Sequence, residues 1–231
     1  MFLNKETLDF SANTLLEKLH LEGSGNVINI NNCKNLIDLY LFNNNIINKI
    51  DLQQCNALKN VMLLDCNSLT SINVSGCQNL DSLRFSSWGD NDVNVDISSC
   101  KNLRSLTLNV KNLTGLNAAG CASLKSFEYQ PNNYNPSNWN LKRLNMSNCT
   151  SLLSLSCNYN KLTSLDVSGC TALKTLYCYN NQLTFLDVHT CIALKELFCF
   201  NNSDLTMLTL NKNHQITTLS KDNHTQIVLK E

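Results

Sequence analysis

The stretch from Leu162 to Asn202, LTSLDVSGCTALKTLYCYNNQLTFLDVHTCIALKELFCFNN, decides how the chain is read. Its cysteines fall at Cys170, Cys178, Cys191 and Cys199, two interleaved series with a period of 21 residues. Leu173, Leu176, Leu183, Leu186 and Val188 occupy the same places relative to Cys170 that Leu152, Leu155, Leu162, Leu165 and Val167 occupy relative to Cys149. Followed outward, one cysteine series becomes Cys33, Cys55, Cys77, Cys100, Cys121, Cys149, Cys170 and Cys191, with spacings of 22, 22, 23, 21, 28, 21 and 21 residues. Self-similarity at a fixed period of this size marks a stacked repeat.

A unit of about 21 residues cannot bury an apolar face alone, whereas a stack of such units buries one continuous core. The alternation Leu155–Ser156–Cys157 reads as a short strand with one buried face. Nine such strands, at about 4.8 Å each, give a parallel sheet roughly 38 Å long. The two cysteine series become two buried columns. One lies at the corner after the second half of each coil. The other, Cys157, Cys178 and Cys199, takes an inward strand position held elsewhere by Leu41, Leu63, Phe85, Leu108 and Tyr129. A free cysteine behaves as a small buried hydrophobe, and in-register side chains pointing the same way suit disulfide geometry poorly.

Asn160, Asn181 and Asn202 follow their strands where the chain turns, and an inward amide there pairs backbone groups that would otherwise be buried alone. In the third unit this place is shared between Cys66 and Asn67. In the fifth, Lys111 falls on it, and a local break in the ladder is expected. Units this short leave no room for a full helix on the other side, so turns, extended segments or short 3₁₀ turns are expected there. The chain is divided as one domain, 1–231: an N-terminal flank or cap at 1–14, about nine repeats of 21–28 residues at 15–212, and a C-terminal cap at 213–231.

The half-repeat LxxLxLxxNxL, with Cys often replacing the third Leu, resembles the leucine-rich repeat family. The second half, LTSLDVSGC, is similar to the short bacterial subtype of internalin-like surface proteins, some of which carry a cysteine ladder. The resemblance runs from about Leu15 to Lys212. It implies a right-handed leucine-rich repeat solenoid with a parallel β-sheet on its concave face, little α-helix, and an asparagine ladder. It also implies a non-enzymatic protein-binding scaffold, a bacterial cell-surface or secreted adhesion module.

Composition excludes several classes. The formal net charge is zero, so no basic excess exists to neutralise phosphates or anionic lipid, and neither nucleic acid nor a membrane surface is the expected partner. No run approaches the roughly 20 apolar residues of a membrane span. MFLNKETLDF reads as no signal peptide, and free thiols fit a reducing cytoplasm as well as a buried core outside it. No CxxC or HxxxH pair suggests zinc, and no glycine-rich phosphate loop appears. His20, His189, His214 and His224 are not placed by register beside a cysteine. Asp51, Asp96, Asp166 and Asp187 recur at one turn position, which fits turn bonding better than paired-carboxylate chemistry. No enzyme activity, cofactor or metal is expected.

Outward strand positions carry the recognition signal. Tyr177, Tyr179, Phe198 and Phe200 fall side by side with Tyr159 adjacent, and an exposed aromatic cluster marks an interaction site. The 28-residue sixth unit adds NYNPSNWN (Asn133–Asn140), which places Tyr134 and Trp139 at the rim, and SSWGDND adds Trp88. The expected partner is another protein, a host extracellular protein included. A glycan is the alternative ligand, and a structural spacer is the third reading.

Overall fold

A computed structural model describes residues 7–23, 27–30, 33–129 and 139–231. Among these residues the chain forms twenty-one short strands and no helix, so none is long and apolar enough to cross a membrane. Each coil contributes two strands. The first strands are β2 (Lys18–Glu22), β4 (Asp38–Phe42), β6 (Asn60–Leu64), β8 (Ser82–Ser87) and β10 (Ser105–Val110), then β12 (Ser126–Glu128), β14 (Ser154–Ser156), β16 (Thr175–Tyr177), β18 (Glu196–Phe198) and β20 (Thr218–Ser220). The second strands are β1 (Thr7–Asp9), β3 (Val27–Asn29), β5 (Lys49–Asp51), β7 (Ser71–Asn73), β9 (Val93–Asp96), β11 (Leu113–Asn117), β13 (Arg143–Asn145), β15 (Ser164–Asp166), β17 (Phe185–Asp187), β19 (Met207–Asn211) and β21 (Gln226–Lys230).

All pairing is parallel, and first strands pair only with first strands, second with second. The result is a two-sided parallel solenoid. The side opposite the first strands, expected as turns, extended segments or short 3₁₀ turns, takes the extended form, and its segments pair into a second sheet. The first-strand ladder is interrupted between β10 and β12, and the second-strand ladder between β3 and β5 and between β15 and β17.

Between the sheets lies one core, built as the repeat dictates. In a single coil Leu173, Leu176, Cys178, Leu183, Leu186 and Val188 are all buried. Each buried leucine contributes about 1.5–3 kcal/mol through the apolar surface it removes from water. All twelve cysteines are free and buried. The corner column does more than fill space: its thiols donate to the carbonyl of the preceding coil. The Cys77 Sγ lies 3.0 Å from the Leu52 carbonyl, Cys100 3.1 Å from Val74, Cys121 3.1 Å from Ile97, and Cys170 3.0 Å from Met146. The strand column, Cys157, Cys178 and Cys199, is buried without such a bond. Burial pushes the Cys77, Cys100, Cys149, Cys157, Cys191 and Cys199 thiols up to about 12, and Cys66 and Cys170 to about 11.

The residue before six of the corner cysteines sits in the left-handed region, with φ of 73° at Gly169 and 58° at Asn148. At Gly169 the preceding coil is also close, since an added Cβ would lie 2.4 Å from Asn148 Oδ1. Glycine answers both demands there.

The asparagine ladder is present where the register places it. Asn181 Nδ2 donates to the Cys157 and Cys178 carbonyls, both at 3.0 Å, while its Oδ1 accepts the Leu162 N–H at 3.0 Å. Asn202 repeats this on Cys178, Cys199 and Leu183, and Asp222 accepts the Asn202 N–H at the end of the ladder. In the third coil Cys66, not Asn67, points inward. In the fifth the ladder is broken as expected: Val110 is buried and Lys111 turns outward to Asp90. Residues 213–231 are built as a further coil, β20 and β21, in register with β18 and β19. This coil covers Leu208 and Leu210, while its own inward Ile227 and Leu229 stay exposed.

Candidate functional site

Two grooves open on the two sheet faces, and their chemistry differs. The groove on the second sheet has a volume of about 880 Å³ and crosses β7 to β17. Its most regular feature is a column of Asn73, Asp96, Asn117, Asn145, Asp166 and Asp187. Each side-chain oxygen accepts the N–H two residues on, at 3.1 Å for Ser75, 2.9 Å for Ser98, 2.9 Å for Ser147 and 2.9 Å for Ser168. These are Asx turns, which reverse the chain at the end of each second strand. The recurring acids thus serve turns, as their spacing suggested. Arg143 reaches across to Asn94 Oδ1 at 3.4 Å, over Gly115, where a Cβ would lie 2.5 Å from that same oxygen.

His189 stands in this groove with Nδ1 2.6 Å from Asp187 Oδ1. Burial alone would raise the Asp187 carboxyl. The backbone N–H and imidazole of His189, with the Lys230 ammonium 3.1 Å from Oδ2, outweigh it and hold the carboxyl below its ordinary value. Nucleophilic catalysis needs a hydroxyl or thiol bonded to the other imidazole nitrogen, and none bonds it among the described residues. Nor do any three His, Cys, Asp or Glu side chains among them group to hold a metal.

The face of the first sheet carries the aromatics. In-register parallel strands stand about 4.8 Å apart, so identical rows of outward side chains meet ring to ring. Tyr179 and Phe200 stack with centroids 4.7 Å apart and planes 5° from parallel. Tyr159 meets Tyr179 edge-on at 5.3 Å, and Trp139 meets Tyr159 edge-on at 5.5 Å. One row over, Tyr177 and Phe198 are paired partners of β16 and β18 with centroids 5.2 Å apart. The Tyr177 hydroxyl donates to Glu196 Oε2 at 3.0 Å, and that bond to a carboxylate raises the phenol above its ordinary value.

Six of the sequence-predicted residues are therefore brought together: Trp139, Tyr159, Tyr177, Tyr179, Phe198 and Phe200. Tyr134 lies outside the described residues. Trp88 is exposed but makes no ring contact with this file among the described residues. Its backbone N–H is held by Asn67 Oδ1 at 2.8 Å. Asn158, in the same row as Tyr179, is buried beside the aromatics and accepts the Ser156 hydroxyl.

Tyr159 has a feature that register did not reveal. Its φ is 57°, the left-handed place that Asn43, Asp65, Asn180 and Asn201 fill in other coils. Asparagine adopts that conformation readily, whereas a bulky ring does so at a cost of about 1–2 kcal/mol. Trp139 shows a second cost: its indole N–H is buried without a partner among the described residues. A smaller cluster missed as a site stands at the other end of the same sheet, where His20 packs against Phe42 at 5.1 Å and Tyr40 at 6.1 Å. Its signal was available, because Tyr40 and Phe42 are outward positions and His20 shares the Tyr40 row.

Stacked helix-free coils with inward leucine and cysteine columns make a parallel β-solenoid, consistent with a leucine-rich repeat architecture. Residues 150–191, two coils of the most regular part, match the family described as Leucine Rich repeats (2 copies). No curated protein sequence matches the chain.

Proposed function

We propose that the chain is a non-enzymatic protein-binding scaffold whose recognition surface is the aromatic file on the first sheet. We place it on a bacterial surface or in a secreted adhesion module, on the resemblance of its coils to internalin-like repeats. One observation carries the binding site: five aromatic side chains on the outer face of the first sheet, Tyr159, Tyr177, Tyr179, Phe198 and Phe200, meet ring to ring, with Trp139 at one end. The fold gains little from them, since the neighbouring coil fills the same rows with Ser156 and Asn158. Large aromatics gathered on a surface dominate binding energies when a partner covers them. Strain at Tyr159 points the same way, because unfavourable backbone conformations persist where function requires the side chain.

A protein is favoured over a glycan by the ring geometry. Sugars stack on open ring faces, and here Tyr179 and Phe200 occupy one face of each other. The test is a binding screen against host extracellular proteins and glycans, run beside the variant Tyr177→Ser, Tyr179→Ser, Phe198→Ser, Phe200→Ser with its folding checked by circular dichroism. The expected result is a protein ligand whose binding is lost in the folded variant. A ligand retained by that variant would overturn the assignment of this face.

A further inference from the structure

Beside the aromatic wall lies a groove of about 610 Å³ with a floor of small residues. The strand register places four outward side chains in one row: Glu128 pairs with Ser156, Ser156 with Tyr177, and Tyr177 with Phe198. Phe198 takes one side of the Tyr177 ring at 5.2 Å. The other side borders Ser156, too small to fill the space, and beyond Ser156 stands Glu128. Two strand steps separate Glu128 from Tyr177, about 10 Å between backbones. The result is a slot with a serine floor, an aromatic wall and a carboxylate wall.

Glu128 is exposed and forms no ion pair among the described residues. Glu196, held by the Tyr177 hydroxyl, adds a second carboxylate at the rim of the same wall. The face of a phenol ring is electron-rich, so ring and carboxylates present negative potential from both sides. Neutral groups gain little from that arrangement, and anions are repelled. A cation is attracted by both walls at once, through a cation–π contact on one and a charge-assisted hydrogen bond on the other. A guanidinium meets both demands best, since it is planar for the ring and forked for the carboxylate.

We infer that this slot seats an arginine side chain of the partner, lying on the serine floor between Tyr177 and Glu128. The inference rests on the docking face proposed above and names the chemistry that face recognises. It also gives the aromatic surface a fixed register, because a single charged group locates a partner more sharply than apolar contact alone.

The test uses the full chain, labelled for NMR, titrated with acetyl-arginine amide and, separately, with acetyl-citrulline amide, a neutral analogue of the same shape. The expected result is shifts confined to Glu128, Ser156 and Tyr177 with the arginine probe, and about fivefold weaker binding of the citrulline probe, as expected for loss of an exposed ion pair together with its cation–π contact. The Glu128→Gln variant, altered at an exposed site, should weaken the arginine probe by a similar factor and leave the unfolding midpoint unchanged. Equal binding of the two probes would overturn the inference, as would unaltered arginine binding in Glu128→Gln. No arginine binding at all would overturn it too, and if the four-serine variant still abolished partner capture, the docking face would stand without the slot. Arginine binding that survives while partner capture ignores the aromatic variant would instead sink the docking face and leave only the slot.

Discussion

The coils from Cys149 to Asn202 and those from Cys66 to Val110 turn the same corner by different means. In the first group a buried asparagine ends each first strand, and β14, β16 and β18 are three residues long. In the second the equivalent place holds Cys66 or a residue turned outward, and β8 and β10 run for six residues, paired as far as Ser87 and Val110. The difference follows from backbone accounting. Buried N–H and C=O groups must find partners. Where a side-chain amide supplies them the chain is free to turn, and where none does the main chain continues pairing with the next coil. Tyr129 closes this region with a third device, its buried hydroxyl donating to the Val110 carbonyl at 2.7 Å.

The largest effect expected is one both regions share. Every cysteine thiol is raised by burial, eight of them from about 9 to about 11 or 12. A thiol ionises near 9 once the chain is unfolded, while the folded state keeps its proton. The native state therefore binds more protons above pH 9, and stability falls as pH rises from about 9 towards 12. Each thiol contributes about 1.4 kcal/mol per pH unit in that window. Eight acting together remove on the order of 10 kcal/mol within about one unit, comparable with the whole stability of a domain. Circular dichroism in reductant should show stable structure at pH 8 and unfolding near pH 10 to 11. A single transition would mean the two regions unfold together, and retained structure at pH 11 would refute the buried-thiol account.

A smaller effect separates the two regions. Asn181→Ala leaves the Leu162 N–H and the Cys157 and Cys178 carbonyls short of their side-chain partner. Unpaired buried groups cost about 1–3 kcal/mol each, so a loss of about 3 kcal/mol or more is expected in urea denaturation. Lys111→Ala, at the equivalent place in the fifth coil, should leave the midpoint unchanged, because that side chain reaches out to an exposed Asp90. Equal losses would show that the longer strands do not substitute for the ladder.

What the sequence discloses follows the same division. Position within one coil is legible: the leucine rows, both cysteine columns, Asn160, Asn181 and Asn202, and the outward aromatics all follow from a period of 21. The break at Lys111 is legible for the same reason. Relations between coils are not. Most strands of the second sheet have three residues, such as Ser164–Asp166, too short for alternation to distinguish from a turn. The lengthening of β8 and β10 depends on two adjacent coils both lacking the amide. The Arg143 span to Asn94 needs Gly115 in the coil between, and the slot at Glu128 needs Ser156 to be small in the next. The left-handed Tyr159 breaks the local preference for asparagine there, so its conformation is visible only once the coil is built.

The finest test compares the two cysteine columns, one of which runs through both regions while the other belongs to the regular coils alone. The Cys170 thiol donates to the Met146 carbonyl at 3.0 Å. In Cys170→Ser a hydroxyl inherits that donor role in nearly the same volume, so the cost is expected to stay below about 1 kcal/mol. The Cys178 thiol is fully buried and forms no hydrogen bond among the described residues, and burial raises it well above the ordinary thiol value. In Cys178→Ser a hydroxyl has lost water and gained no partner, which costs about 1–3 kcal/mol. Urea unfolding of the two variants side by side should therefore rank them, with Cys178→Ser clearly the weaker protein. The same ranking should extend along each column, Cys149→Ser resembling Cys170→Ser because its thiol reaches the Ala118 carbonyl at 3.2 Å, and Cys157→Ser resembling Cys178→Ser. If the columns proved equally tolerant, the corner thiols would be space-fillers like those on the strand, and their bonds to the preceding coil would contribute nothing to holding the stack together.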